Sequence, residues 1–206
     1  AGYLYLSGQP ERLAELVHKL IELQRAQDAP AMSDAKPMSV VAMTRESIAA
    51  NEVQADAKQI GIVLSLNGRV IPVEVPEGEP ETLDDDVLVR VGREPFTTAV
   101  KNLVENAIKY MGREGMITIC ITRNDSMAQV VVQDDGLGLD SQETDHIFEL
   151  DFQGSNRVPG QGHGHGLYLV KRAVGSQGGS ISASCHPGCG MTLRFTLPLA
   201  DAGAPA

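Results

Sequence analysis

Tryptophan is absent from this chain, and only four Phe and four Tyr are present. A core must therefore be filled by Leu, Ile, Val, Ala and Met rather than by aromatic rings. Cysteine is scarce as well: Cys120, Cys185 and Cys189 form an odd set. That speaks against a disulfide framework and for a reducing cytoplasm. No apolar run approaches the about 20 residues needed to cross a bilayer, and no secretory leader is visible. Positive charge is in deficit, with 17 Lys and Arg against 27 Asp and Glu and a formal net charge of −10. Such a balance opposes non-specific binding to nucleic acid or to an anionic membrane. A nucleotide ligand is still permitted, provided that specific cations and backbone N–H groups meet its phosphates.

The 206 residues are 42% hydrophobic, enough for one domain with a full core and an arm. Leu13, Leu16, Val17, Leu20, Ile21 and Leu23 recur at helical spacing over residues 10–27, with Pro10 suited to the first turn. This stripe fits a core helix, or a coiled-coil or hairpin partner. Residues 28–37, with two prolines, read as a linker. Residues 38–42 suggest a strand, and residues 44–59 a helix capped by Thr44. Residues 61–66 and 70–75 alternate as strands about Asn67 and Gly68, a strong hairpin signal. Residues 76–86 read as an acidic solvated loop and 87–91 as a strand. A helix follows at 94–111, then a hairpin at 117–122 and 128–133 about Asn124 and Asp125. The pattern continues with a glycine-rich loop, a short helix at 142–148, a polar stretch at 151–161 and a helix at 166–176. A hairpin at 180–184 and 191–198 and a frayed tail at 201–206 end the chain. Strands and helices without strict alternation predict an α+β fold, a two-layer sandwich whose mixed sheet is covered on one face by helices.

Three segments carry chemistry. In the helix at 94–111, Asn102 and Asn106 lie four residues apart on one face, with Lys109 and Tyr110 a turn further. An amide oxygen suits magnesium, which takes oxygen donors and keeps several waters; a lysine beside it suits phosphate. Alone, the segment reads more readily as a solvated polar face. Next, a β-rich run ends in Asp134 and Asp135, followed by Gly136 and Gly138. The glycines allow close approach of a ligand, and a carboxylate there could accept a hydrogen bond from an exocyclic amine such as that of adenine. Alone, this is also an ordinary turn. The third segment is the most informative. Gly160, Gly162, Gly164 and Gly166 alternate with Gln161, His163 and His165 and lead through Leu167 into an apolar-periodic helix. Backbone N–H groups and a helix start together favour an anion. The spacing is neither that of a Walker loop nor that of a dinucleotide-binding fingerprint.

In this order and separation, the segments resemble the nucleotide-binding boxes of the GHKL superfamily: gyrase, heat-shock chaperone, MutL and histidine kinases. The resemblance covers roughly residues 93–199, and it implies a Bergerat-type ATP-binding fold. It implies that Asn106 is the magnesium-binding Asn of the N box and Asp134 the adenine-binding Asp of the first glycine box, followed by Gly136 and Gly138. Gly162, Gly164 and Gly166 match the second glycine box, with His163, His165 and Leu167 in it. Residues 147–152 are similar to the F box of histidine kinases, and Arg157 lies where the family has its ATP lid. ATP and Mg2+ are the implied ligands, with Asn106 and Lys109 serving catalysis.

The hydrolase branches carry a Glu one turn before the magnesium Asn. Here that position is Asn102, and an amide takes no proton from water. Glu105 is rotated by about 100° from Asn106 and does not simply substitute. The site therefore resembles that of a kinase, for which positioning and charge neutralisation matter most. The family's acceptor His with its acidic neighbour has no counterpart here; His18 is followed by Lys19 and reads as structural. Residues 1–29 resemble the second helix of a dimerisation hairpin, 30–37 its linker, 38–200 the catalytic domain and 201–206 a tail. The expectation is thus the ATP-binding domain of a two-component sensor histidine kinase, not competent alone for autophosphorylation. Its implied partners are the acceptor helix of the same protein, a response-regulator receiver domain and a second copy of the parent chain. The implied location is cytoplasmic, in a parent of the kind anchored in the inner membrane. The rival readings are an anti-sigma-type serine kinase and a nucleotide-binding regulatory domain of the same superfamily. His163 and His165 lack further ligands at metal spacing, and Cys185 to Cys189 read as a turn rather than a zinc site or disulfide.

Overall fold

A computed structural model of the chain describes residues 36–75, 83–111, 114–155, 164–185 and 188–201. The expected helix at 10–27, most of the linker and the tail beyond Asp201 lie outside the described residues.

The core is one mixed sheet. Its strands are β2 (Ile60–Leu66), β3 (Arg69–Ile71), β5 (Gly115–Asn124), β6 (Met127–Asp134), β7 (Ser180–Cys185) and β8 (Met191–Pro198), in the order β3-β2-β5-β6-β8-β7. All neighbours are antiparallel except β2 and β5. That one parallel pair requires a crossover, and the long helix α3 (Arg93–Tyr110) lies in it. Alternation then sorts the side chains. Ile117, Ile119, Ile121, Val130, Val132, Leu193, Phe195 and Leu197 are buried, whereas the residues between them are more exposed. Phe96 of α3 meets Phe195 edge to face, with ring centroids 5.9 Å apart. Helices α1 (Val40–Ala49), α2 (Glu52–Ala57) and α4 (Gly166–Ser176) complete the second layer. The α+β two-layer arrangement read from the sequence is the one observed. No helix among the described residues is long and apolar enough to cross a membrane.

Several expected elements change. The strand expected at 38–42 shortens to β1 (Met38–Ser39), paired with β4 (Leu88–Val89). Ser39, not Thr44, caps α1; its hydroxyl accepts the Ala42 N–H at 2.8 Å and donates to Asp86. Val40 and Val41 are fully buried, so tertiary packing overrides their strand preference. The expected helix 44–59 breaks at Ala50, and α2 restarts at Glu52. Asn51 sits in the break, its side chain donating back to the Ser47 carbonyl at 3.0 Å. The strand expected at 70–75 stops before Pro72, which has no N–H to offer. The Pro72 carbonyl instead accepts Nε and a terminal nitrogen of Arg45 at 3.2 and 3.0 Å. The strand expected at 87–91 shortens to β4. Residues 142–148 are successive turns rather than a helix, because their N–H groups bond three residues back, as in Glu143 to Asp140 and His146 to Glu143. Asp201 is ion-paired with Arg123 at 2.6 Å, so that end of the tail is held.

The Asn67-Gly68 turn forms as read. Both residues have positive φ, 49° and 84°, and Leu66 pairs with Arg69. In the next hairpin, Asn124 pairs with Met127, so the loop is Asp125 and Ser126 rather than Asn124 and Asp125.

Candidate nucleotide site

The C-terminal half of α3 forms one wall of a cavity. Asn102, Glu105, Asn106, Lys109 and Tyr110 all line it. The helix is placed by its ends. Its N-cap, Gly92, offers no side chain, but its N–H donates to the buried Gln177 amide oxygen at 2.7 Å. At the other end, the Lys58 ammonium donates to the Ile108 carbonyl at 2.6 Å, a cation at a helix C-terminus. Asn102 donates its amide to the Thr98 carbonyl at 2.8 Å, which fixes its orientation. Lys109 donates to the Tyr110 hydroxyl at 2.9 Å and lies 4.4 Å from that ring's centroid. Glu105 lines the cavity although helical geometry turns it off the Asn102–Asn106 line, and its carboxylate lies 3.7 Å from the Lys101 ammonium.

Asp134 ends β6 at the floor of the same cavity. One oxygen, Oδ1, accepts the Gly136 N–H at 2.9 Å and the Met191 N–H at 3.2 Å. Burial pushes the Asp134 carboxyl above the ordinary aspartate range and outweighs those two amides; the nearby Asp135 charge adds to the rise. Gly136 is required by space, since an added Cβ would lie 2.8 Å from the Tyr110 carbonyl oxygen. That carbonyl also accepts the Leu137 N–H at 3.3 Å, so this loop is docked on the end of α3. Gly138 adopts a φ of 64°, open to glycine at no cost.

The far wall is the start of α4. Gly164, His165, Gly166 and Leu167 line the cavity, facing Ile147, Phe152 and Gly154. No side chain caps α4, so its first amides are left for another acceptor. Gly166 packs closely on Asn102: an added Cβ would lie 3.1 Å from its Oδ1.

The structure thus brings together Asn102, Asn106, Lys109, Tyr110, Asp134, Gly138, Gly164, His165, Gly166 and Leu167 around one cavity, with Gly136 supporting it from behind. Arg157, Gly162 and His163 lie outside the described residues. Met191 was not legible as a site residue: its sequence reads as plain core strand, yet it lines the cavity and fixes Asp134. Nothing local signals this, because the contact spans 57 residues.

The donor set suits magnesium of a particular kind. Among the described residues, no group of three His, Cys, Asp or Glu could cage a metal. Asn106 faces the cavity with no side-chain hydrogen bond among the described residues. One amide oxygen facing an open cavity fits an ion that keeps most of its waters.

Residues 91–201 match the model of the "Histidine kinase-, DNA gyrase B-, and HSP90-like ATPase" family. The sensor-like histidine kinase SenX3 of Mycolicibacterium smegmatis is 30% identical over 193 residues, covering 92% of this chain and 46% of that protein. The sensor histidine kinase WalK of Bacillus subtilis is 31% identical over 120 residues, covering 56% of this chain and 20% of that protein. The chain spans less than half the length of these relatives. Among solved structures, the mycobacterial sensor histidine kinase MprB superposes with a TM-score of 0.65 at 21% identity, covering 80% of this chain and 98% of that one. Full-length ShkA in complex with AMPPNP superposes with a TM-score of 0.70 at 22% identity, covering 95% of this chain and 37% of that one. The structural likenesses establish the fold.

Proposed function

As the chain belongs to the family of histidine kinase-, DNA gyrase B-, and HSP90-like ATPases, we propose that it is the ATP-binding catalytic domain of a two-component sensor histidine kinase. The observation that carries this reading is the convergence of Asn106, Asp134 and the start of α4 on one cavity. Adenine sits against Asp134, whose carboxylate accepts its exocyclic amine. The phosphates run toward the uncapped amides of Gly166 and Leu167, where backbone dipoles favour negative charge. Lys109, and Arg157 from the segment before the second glycine box, supply cations there. Bound Mg2+, held by Asn106, would neutralise phosphate charge.

Transfer rather than rapid hydrolysis is supported by Asn102. Its side chain is tethered to Thr98 and has no basic atom with which to take a proton from water. The γ-phosphoryl passes to an imidazole on a dimerisation helix, breaking the bond to the β-phosphate oxygen and forming a nitrogen–phosphorus bond. From there it passes to a carboxylate of a response-regulator receiver domain. Catalysis by these residues is positioning and charge neutralisation.

The test uses the chain with an acceptor hairpin supplied in trans. Radiolabelled ATP is expected to label the hairpin on histidine. Asn106→Ala is expected to lose Mg-ATP binding and transfer together. Equal binding and transfer by Asn106→Ala would refute the assigned site. Labelling on serine instead would favour a serine kinase of the anti-sigma type.

A further inference from the structure

Three consecutive residues of the second glycine box are each registered by a different neighbour. Gly164 has a φ of 77°, and an added Cβ would lie 2.3 Å from the Phe152 carbonyl oxygen, so two backbones touch there. Gly166 abuts the Asn102 amide. Between them, the imidazole Nε2 of His165 meets the Asp151 carboxylate at 2.5 Å. The two partners are 14 residues apart in sequence. Asp151 holds a left-handed backbone, φ 64°, to reach it. An aspartate tolerates that conformation better than most residues.

His165 is also the residue from which α4 begins. Its carbonyl accepts the Leu169 N–H at 2.9 Å, the first bond of the helix. Its side chain is only 13% exposed, while that of Asp151 is 71% exposed. A pair with one well-exposed partner adds little to stability. A contact that orients the residue opening an uncapped helix instead sets where that helix's free amides point. We propose that Asp151 is a positioning residue of the nucleotide site: through its pair with His165 it fixes the glycine box in the register that presents the first amides of α4 to phosphate. The proposal rests on the nucleotide reading above and gives a specific role to Asp151, which lies in the segment 147–152 that is similar to the F box.

The test is a double-mutant cycle on the full chain, read as the dissociation constant for Mg-AMPPNP, with the melting temperature as control. Asp151→Gly removes the carboxylate without penalising the left-handed backbone, and His165→Leu removes the imidazole. Each is expected to weaken binding by about five- to tenfold, within the coupling seen between contacting residues. The double variant is expected to be no weaker than the worse single variant. Asp151→Asn, which keeps an acceptor for the imidazole N–H, is expected to restore most of the affinity. The melting temperature of Asp151→Gly is expected to stay within about 3 °C of wild type. Binding by Asp151→Gly within about twofold of wild type, or additive losses in the double variant, would overturn the proposal. Wild-type protein that binds no Mg-AMPPNP would overturn the nucleotide reading itself, so the two failures are distinguishable.

Discussion

The Met191 N–H donates to Oδ1 of Asp134 across 57 residues of sequence, and the Gly136 N–H donates to that same oxygen. Two amides on one oxygen hold the carboxylate in a single orientation. Neither bond uses Oδ2, so the second oxygen is left to read a ligand. The orientation of Asp134 is therefore set by two separate segments, the loop at Gly136 and the start of β8 at Met191.

Asp134→Asn tests that division of labour. The Asn carbonyl oxygen can replace Oδ1 under both amides, which places the NH2 group where Oδ2 was. A donor then faces the donor amine of adenine. We expect Mg-AMPPNP affinity to fall about 10- to 100-fold, the cost of leaving polar groups unsatisfied. Titration calorimetry checks this, with circular dichroism to confirm the fold.

The raised pKa of Asp134 gives two pH effects of opposite sign. In the proposed reading the ionised form accepts the base, so affinity is expected to fall on acidification at a pH above 3.8, the ordinary aspartate value. The Asp134 contribution to folding stability runs the other way. A raised folded-state pKa contributes stability below the unfolded pKa, and that contribution is lost as pH rises through the folded value. Affinity and unlinked stability measured over the same acid range separate the two effects.

Gly190→Ala is expected to damage the site through the backbone. Gly190 has a φ of 75°, and an added Cβ would lie 1.9 Å from the Asp134 carbonyl oxygen. That is backbone against backbone, with no flexible side chain to yield. A loss of about 1–3 kcal/mol is expected from the overlap, with added strain from the left-handed conformation. Denaturant unfolding reads the stability, and weakened nucleotide binding shows the displacement of Asp134.

Ser39→Ala is expected to destabilise the fold by about 1 kcal/mol, the usual cost of a lost helix cap. It removes the acceptor for Ala42 and the donor to Asp86. The denaturant midpoint should fall with the slope unchanged. Nucleotide affinity should hold, because neither group lines the cavity.

Legibility of the chain in sequence followed the range of the forces involved. The Asn67-Gly68 turn and the helix α3 are local matters, and both were readable. The three boxes were readable as residue types at fixed spacing. Residues 38–42 misled because Val40 and Val41 favour strands locally but are buried as helix by partners far along the chain. The break at Asn51 depends on a side chain turning back to its own helix, which periodicity does not register. Helical geometry turned Glu105 away from Asn106, yet the cavity is broad enough to include both. His165 is legible in the glycine box, but its pairing with Asp151 depends on how two loops dock.

The contribution of Met191 has a consequence for synthesis. A ribosome makes the N box, the first glycine box and the start of α4 before it reaches β8. Until residue 191 has left the exit tunnel, Asp134 lacks one of its two amides and the cavity lacks part of its lining. A nascent chain stalled earlier holds every recognisable motif and an unfinished cavity. Nucleotide binding is thus expected only once β8 has joined the sheet, and ATP would stabilise finished domains in preference to partial ones.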